Sequence, residues 1–133
     1  KNKDKVAMKM TTPVIMSKDD ENTAEFMSFV LPSKYWVDPQ VAPQPLPESG
    51  VTLQRRSSED RAIIMFGGYA SKNEVEKRKK ELLSVVKKDE NWTLLNENNA
   101  SVDILQYNDP FTPPWRRLNE ASVKVVLNDT SGK

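Results

Sequence analysis

Hydrophobic and polar residues alternate along several short stretches of the chain, and this period of two is typical of β-strands. The stretch 121–127 is the clearest, because Ala121, Val123 and Val125 alternate with Ser122 and Lys124. It predicts a strand with one mostly buried face, which also includes Leu127. Similar patterns predict further strands over residues 5–16, 25–31, 51–54, 62–69, 92–95 and 102–108.

Three of these predicted strands carry further indications of how they are covered or paired. In the stretch 25–31 apolar side chains fall on both faces, so both sides are expected to be covered. The stretches 51–54 and 62–69 are expected to form a hairpin around the polar turn 55–61. At the end of that hairpin Gly67-Gly68 indicates a bulge or a close backbone approach.

One helix is predicted, over residues 72–88. Ser71 followed three residues later by Glu74 is a capping box that marks its beginning. Four apolar residues then fall on one face at helical spacing: Val75, Leu82, Leu83 and Val86. The basic run Lys77–Lys80 is interpreted as a solvated face of this helix. About six strands to one helix predict an α+β fold with the helix on an antiparallel sheet.

A proline-rich segment separates the early strands from the rest. Pro39, Pro43, Pro45 and Pro47 restrict φ and remove amide donors. The segment is therefore predicted to be an extended surface connector, in preference to a docking peptide.

Composition narrows the chemistry. The 133 residues include 20 Lys and Arg against 19 Asp and Glu, so no large uniform charge attracts nucleic acid. No apolar run approaches the roughly 20 residues that span a bilayer, so a soluble protein without a transmembrane segment is predicted. Cys and His are both absent, which removes thiolate chemistry, the commonest metal ligand and the commonest general base.

Acidic pairs offer little for catalysis. Asp19-Asp20, Glu59-Asp60 and Asp89-Glu90 each lie in a polar stretch where both carboxylates are expected to stay solvated and ionised. No catalytic or metal-binding residues are predicted.

The loop over residues 107–117 is the one segment that predicts ligand binding. Its prolines, among them Pro113, hold a stretch in which Tyr107, Phe111 and Trp115 offer flat surfaces, and Arg116 and Arg117 follow. Aromatic rings stack on planar apolar ligands and guanidinium groups bind carboxylates in a fork. The pattern therefore fits a flat ligand that carries carboxylates.

A structural interpretation of the same loop remains open. Phe111 and Trp115 could instead pack beneath the loop, with Arg117 paired to Glu120. The residues alone slightly favour this alternative.

Five motifs in register resemble the SOUL/haem-binding protein family, and together they cover nearly the whole chain. They are MTTPV (10–14), FMSFVLPSKY (26–35), PLPESGVTL (45–53), FGGYA (66–70) and QYNDPFTPPWRRLNE (106–120). Within that family the wording is most like the plant and algal plastid branch.

The resemblance implies a distorted antiparallel β-barrel built from two βαββ repeats. It also implies reversible, non-covalent binding of haem or another tetrapyrrole in a hydrophobic cleft, by a carrier, buffer or sensor and not by an enzyme. By the same resemblance the ligand lies near residues 111–117, and Met8 and Met10 lie close to the cleft.

The chain departs from the family pattern in two ways. By the resemblance it is expected to lack the first strand and helix of the opening repeat, so residues 1–127 are expected to be a partial domain followed by a polar tail, 128–133. The uncovered face is expected to bind the missing N-terminal segment or another protein chain. Without His, axial ligation of haem iron falls to Met, to Tyr or to no residue.

Two functions are therefore compared. The first is a tetrapyrrole-binding protein associated with the chloroplast or another plastid, or otherwise cytoplasmic. The second is a non-catalytic interaction subunit of a larger complex that has kept the fold without the ligand. Because Cys and His are absent, an enzyme acting on a tetrapyrrole is the least favoured option.

Overall fold

The fold is a sheet arranged around one long strand near the C-terminal end of the sequence. The structure is a computed structural model that describes residues 2–5, 7–8, 11–18, 24–98 and 100–128. Its strands and helix are β1 (Val14–Lys18), β2 (Glu25–Phe29), β3 (Asp60–Gly67), α1 (Lys72–Lys88), β4 (Trp92–Leu94), β5 (Asp103–Gln106) and β6 (Leu118–Leu127).

All strand pairings among the described residues are antiparallel, and β6 takes part in three of them. The sheet order is β2-β1-β5-β6-β3, and β4 pairs with the far part of β6. The predicted α+β class, with one helix on an antiparallel sheet, is confirmed.

The core lies between α1 and one face of the sheet. Ala121 and Val123 of β6 are 0% and 2% exposed and contact Leu82 and Val86 of the helix within one buried cluster. The alternation along β6 thus predicts its buried face. Leu127, which was predicted to belong to the same buried face, is instead 63% exposed.

Helix α1 has the predicted bounds. The Ser71 hydroxyl accepts a hydrogen bond from the Glu74 amide at 3.4 Å, which satisfies one free donor of the first turn. The Glu74 carboxylate in turn accepts from Arg78 Nε at 2.9 Å. All four predicted apolar positions of the helix face the core.

Three predictions about strands were wrong. Residues 51–59 form no strand, and their side chains are exposed. The expected hairpin is therefore absent, and β3 pairs with β6 instead. Of the strand predicted over 5–16, the described residues 11–13 are not part of a strand and β1 begins at Val14, whereas residues 6, 9 and 10 lie outside the described residues. In β2, which ends the sheet order, Phe26, Met27 and Phe29 are 49%, 59% and 51% exposed, so its faces are not covered as expected.

The two glycines at the end of β3 were predicted to mark a bulge or a close backbone approach, and the structure instead shows a left-handed turn there. Gly68 has a φ of +79°, a left-handed conformation that side chains with a Cβ resist. The buried Asn119 donates from Nδ2 to the Gly68 carbonyl at 2.8 Å and to the Phe66 carbonyl at 3.4 Å. This turn directs the chain from the sheet towards α1.

A network of charged groups lies on the sheet face away from α1. The Arg61 guanidinium donates to Asp103 Oδ2 at 2.9 Å, to Ser122 Oγ at 2.6 Å and to Glu59 Oε1 at 2.8 Å. Burial raises the pKa of Glu59, but hydrogen bonds from Arg61 and Lys124 outweigh it, so the pKa is below its ordinary value. These contacts connect β3, β5 and β6.

The chain divides into two units. One contains residues 12–29 and 59–133 and includes every strand and helix named above. The other contains residues 1–11 and 30–58, with 3₁₀ turns at Ser33–Tyr35, Pro39–Val41 and Pro47–Ser49 and a bridge between Asn2 and Pro45. The proline segment, predicted to be extended, thus contains short turns. The predicted domain over 1–127 stays a prediction, and residues 129–133 of the predicted tail lie outside the described residues.

Candidate functional site

The loop between β5 and β6, residues 107–117, closes at its base because the two strands are hydrogen-bonded neighbours. The Tyr107 amide donates to the Leu118 carbonyl at 3.3 Å, and the Leu118 amide donates to Asn108 Oδ1 at 2.7 Å. Both ends of the loop are therefore held by the sheet, and the loop extends beyond the ends of β5 and β6.

Arg117 fixes the interior of this loop. Its Nε donates to the Thr112 carbonyl at 2.8 Å, and one terminal nitrogen donates to the carbonyls of Pro110 at 2.7 Å and Asp109 at 3.2 Å. The guanidinium carbon also lies 4.8 Å from the centre of the Tyr69 ring. Arg117 was predicted to bind ligand, but its donors are largely occupied by the loop itself.

The other predicted loop residues face outward to different degrees. Phe111 is 95% exposed and Trp115 is 81% exposed, Arg116 is exposed, and Pro113 is half-buried. The alternative in which the two aromatic side chains pack beneath the loop is therefore wrong. The loop presents two aromatic surfaces and a guanidinium group that has no hydrogen-bond partner among the described residues.

Tyr107 has a different environment from Phe111 and Trp115. It is half-buried, and its hydroxyl donates to Glu120 Oε2 at 2.8 Å. Burial first, and then the hydrogen bond and negative charge of Glu120, raise the pKa of Tyr107 to about 12. The structural alternative paired Glu120 with Arg117. In the structure the hydrogen-bond partner of Glu120 is Tyr107 instead.

The two methionines assigned by resemblance lie apart in the sequence from this loop. Met8 is 40% exposed and belongs to the unit of residues 1–11 and 30–58. Met10 lies outside the described residues. Their assignment to the cleft stays a prediction.

Two exposed residues beside the loop were not predicted from the sequence. Tyr69 is 57% exposed and contacts Arg117 through its ring. Met65 is 60% exposed and lies opposite Glu120 in the register of β3 with β6. The FGGYA motif and the alternation along 62–69 contain the signal for both, because they place these side chains at the loop end of β3.

The chemistry of the loop suits a porphyrin better than it suits iron. Exposed rings can stack on the macrocycle, and Arg116 can pair with a propionate. The Tyr107 hydroxyl keeps its proton at neutral pH and donates a hydrogen bond to Glu120. It is therefore a poor phenolate ligand for iron. Of the loop residues, Phe111, Trp115 and Arg116 are exposed enough to contact a flat ligand that carries carboxylates.

Comparison with known proteins agrees with this description. A protein-family profile described as SOUL heme-binding protein matches residues 1–124. A comparison with curated protein sequences gives no match. In the described part of the chain no helix has the length and apolar character needed to cross a membrane. With a match over nearly its whole length, the chain belongs to the SOUL heme-binding protein family.

Proposed function

We propose that the protein binds haem or a related tetrapyrrole reversibly, on the outer surface of the 107–117 loop, as a carrier or buffer and not as an enzyme. The observation that carries this proposal is the exposure of Phe111 and Trp115, at 95% and 81%, on a loop fixed by Arg117. Exposing two large aromatic side chains to water has a cost that stacking on a planar ligand removes.

Each residue has a distinct role in this proposal. Phe111 and Trp115 supply apolar contact, and Arg116 pairs with a carboxylate of the ligand. Arg117 is a positioning residue, because its hydrogen bonds to three loop carbonyls maintain the surface without touching the ligand. When bound, haem would supply its own spectroscopic and redox chemistry, and the chain would supply orientation and protection.

A haemin titration followed at the Soret band tests the proposal. We expect a saturable spectral shift at micromolar haemin and at least about tenfold weaker binding for Phe111→Ser/Trp115→Ser, which removes most of the stacking surface. Phe26→Ser, also at an exposed aromatic residue but on β2, is the matched control and should bind normally. Equal binding by the loop variant and the wild type would refute the proposed site.

The charge contribution is tested separately. Arg116→Gln should weaken haemin binding by about threefold to tenfold, because a propionate loses its partner. Arg56→Gln removes an equally exposed guanidinium outside the loop and should have no effect. Tyr107→Phe should leave the Soret position unchanged, whereas a shift would identify Tyr107 as an iron ligand.

A plastid location is part of the same proposal. It is supported by the wording of MTTPVIMSK, MSFVLPSKY and QYNDPFTPP, which is similar to the plastid branch of the family. The absorption spectrum of the protein purified from isolated plastids tests it. A porphyrin band in that preparation is expected. Finding the protein only in the cytosolic fraction would contradict the proposed location.

A second candidate function is that of an interaction subunit, favoured by the exposed residues of β2. This strand ends the sheet order of the described residues, and Met27 and Phe29 lie on the same face, more than half exposed. Such a strand can pair with another chain. That another chain or a preceding segment covers β2 stays a prediction.

Sedimentation equilibrium at several protein concentrations tests this second function. We expect concentration-dependent association in the wild type, and a monomer in Met27→Thr/Phe29→Thr. Val37→Thr, at an exposed apolar residue outside the strands, is the control. A wild type that is monomeric at every concentration, and that copurifies with no partner from its native source, would exclude it.

A further inference from the structure

A second concave surface, separate from the loop, lies between α1 and the start of β5. Its base contains the half-buried Leu83 of the helix, with Leu94 and Val102 of the sheet side, 4% and 7% exposed, beneath it. The volume is about 360 Å³, within the range of about 300–1,000 Å³ that small-molecule sites occupy. The 107–117 loop follows the opposite end of β5, so the two surfaces are distinct.

The rim of this cleft carries an excess of positive charge. Four lysines line it, namely Lys18, Lys79, Lys80 and Lys87, against two glutamates, Glu76 and Glu97. The sequence interpretation treated Lys77–Lys80 as one solvated run. The structure separates that run, because Lys79 and Lys80 border the cleft and Lys77 does not.

Two of these lysines are partly covered and only weakly paired. The side chains of Lys18 and Lys79 are 32% and 20% exposed, so their methylene groups form part of the cleft wall. Their nearest carboxylates are at the limit of an ion pair, with Lys18 Nζ 3.9 Å from Glu25 and Lys79 Nζ 4.0 Å from Glu76. Both ammonium groups can therefore accept a better anionic partner.

We infer that this cleft binds a small amphipathic anion, in which a carboxylate or similar acidic group is attached to a compact apolar body. The acidic group would contact the lysine rim, and the apolar body would cover Leu83 and its neighbours. A bare inorganic anion would use only half of the site, because it gains nothing from contact with Leu83.

Fluorescence titration with 1-anilinonaphthalene-8-sulfonate, an aromatic sulfonate, tests this inference in the folded protein at low salt. We expect saturable binding that Lys18→Gln/Lys79→Gln weakens by about tenfold, because two charge-assisted contacts are lost. Lys77→Gln changes the charge of the same helix outside the cleft and should leave the dissociation constant unchanged. An equal loss in both variants, or in neither, would overturn the site.

Competition identifies the chemistry of the ligand. Octanoate should displace the probe, whereas inorganic phosphate at the same ionic strength should not. Displacement by phosphate as effective as that by octanoate would overturn the amphipathic assignment.

A further variant separates this inference from the proposed haem site. Phe111→Ser/Trp115→Ser should retain the binding of the sulfonate probe in full. Loss of the probe signal in that variant would place the probe on the loop and refute the cleft, whatever the outcome of the haemin titration.

Discussion

Two adjacent arginines of the candidate site have opposite environments, although the sequence presents them as a pair. Arg117 is held by three backbone carbonyls and the Tyr69 ring, whereas Arg116 is exposed. The RR motif predicts two guanidinium groups for a ligand. It cannot show which of them the loop uses, because that depends on which carbonyls the folded loop directs inward.

This difference predicts unequal effects on stability. Arg117→Ala should lower the free energy of unfolding by about 1–2 kcal/mol, because loop carbonyls lose their donors. Arg116→Ala should change it by less than about 0.5 kcal/mol, as expected for an exposed residue. Urea unfolding followed by circular dichroism measures both, and equal values would show that Arg117 does not hold the loop.

Tyr107 predicts a dependence of stability on alkaline pH. Its pKa is raised to about 12 in the folded protein and is about 10 in an unfolded chain. Because the folded state retains this proton longer, its contribution to stability is complete below about pH 10 and is lost as the pH rises towards 12.

Ultraviolet titration of the tyrosinate absorbance tests the assignment. The step near pH 12 should be missing in Tyr107→Phe, and in Glu120→Gln it should move to lower pH because the negative partner is gone. A late step that persists in Tyr107→Phe would assign it to another tyrosine.

At the scale of elements, the two glycines at the end of β3 should respond differently to substitution by alanine. Gly68 has a φ of +79°, so Gly68→Ala should lower the free energy of unfolding by about 1 kcal/mol. Gly67 has no such φ, and a Cβ there would meet the Arg117 carbonyl oxygen at an ordinary 3.6 Å. Gly67→Ala should therefore be neutral or slightly stabilising, and a larger loss there than at Gly68 would contradict this description.

The network around Arg61 connects three strands. The loss of stability should depend on whether one partner of an ion pair is replaced or both are. Asp103→Ala should cost about 2 kcal/mol, because the partly buried guanidinium loses one carboxylate but keeps Glu59. Replacing both partners in Arg61→Leu/Asp103→Leu should recover most of that loss. Thermal unfolding of the two single leucine variants and the double variant gives the coupling energy, and purely additive effects would exclude the network as a unit.

The elements differ in how far the sequence predicts them. Helix α1 has its predicted bounds because its cap and its apolar face are local properties of residues 71–88. The hairpin expected around 55–61 is absent because β3 instead pairs with β6, some 60 residues later. Alternation within a strand indicates which side chains share a face, but it contains no information about the partner strand.

At the scale of the whole molecule, the family, the fold class and the residues of the 107–117 loop could be predicted, but the composition of the cleft beside α1 could not. The loop at 107–117 was predicted because its residues are consecutive. The cleft beside α1 brings Lys18 and Lys87 together from distant positions, along with Val102. The sheet order, which places β1 beside β5, brings Lys18 near Val102, and the packing of α1 on the sheet adds Lys87.

The central position of β6 has a consequence for how the molecule assembles during synthesis. This strand pairs with β3, β4 and β5, yet it follows all of them in the sequence. Until residues 118–127 have left the ribosome, β3, β4 and β5 lack this partner, whereas α1 and the pairing of β1 with β2 can form from contacts close in the sequence. Pairings of such long sequence separation favour slow folding. The nascent chain therefore spends its longest interval with unpaired strand edges, which is the interval in which a chaperone would be of most use to it.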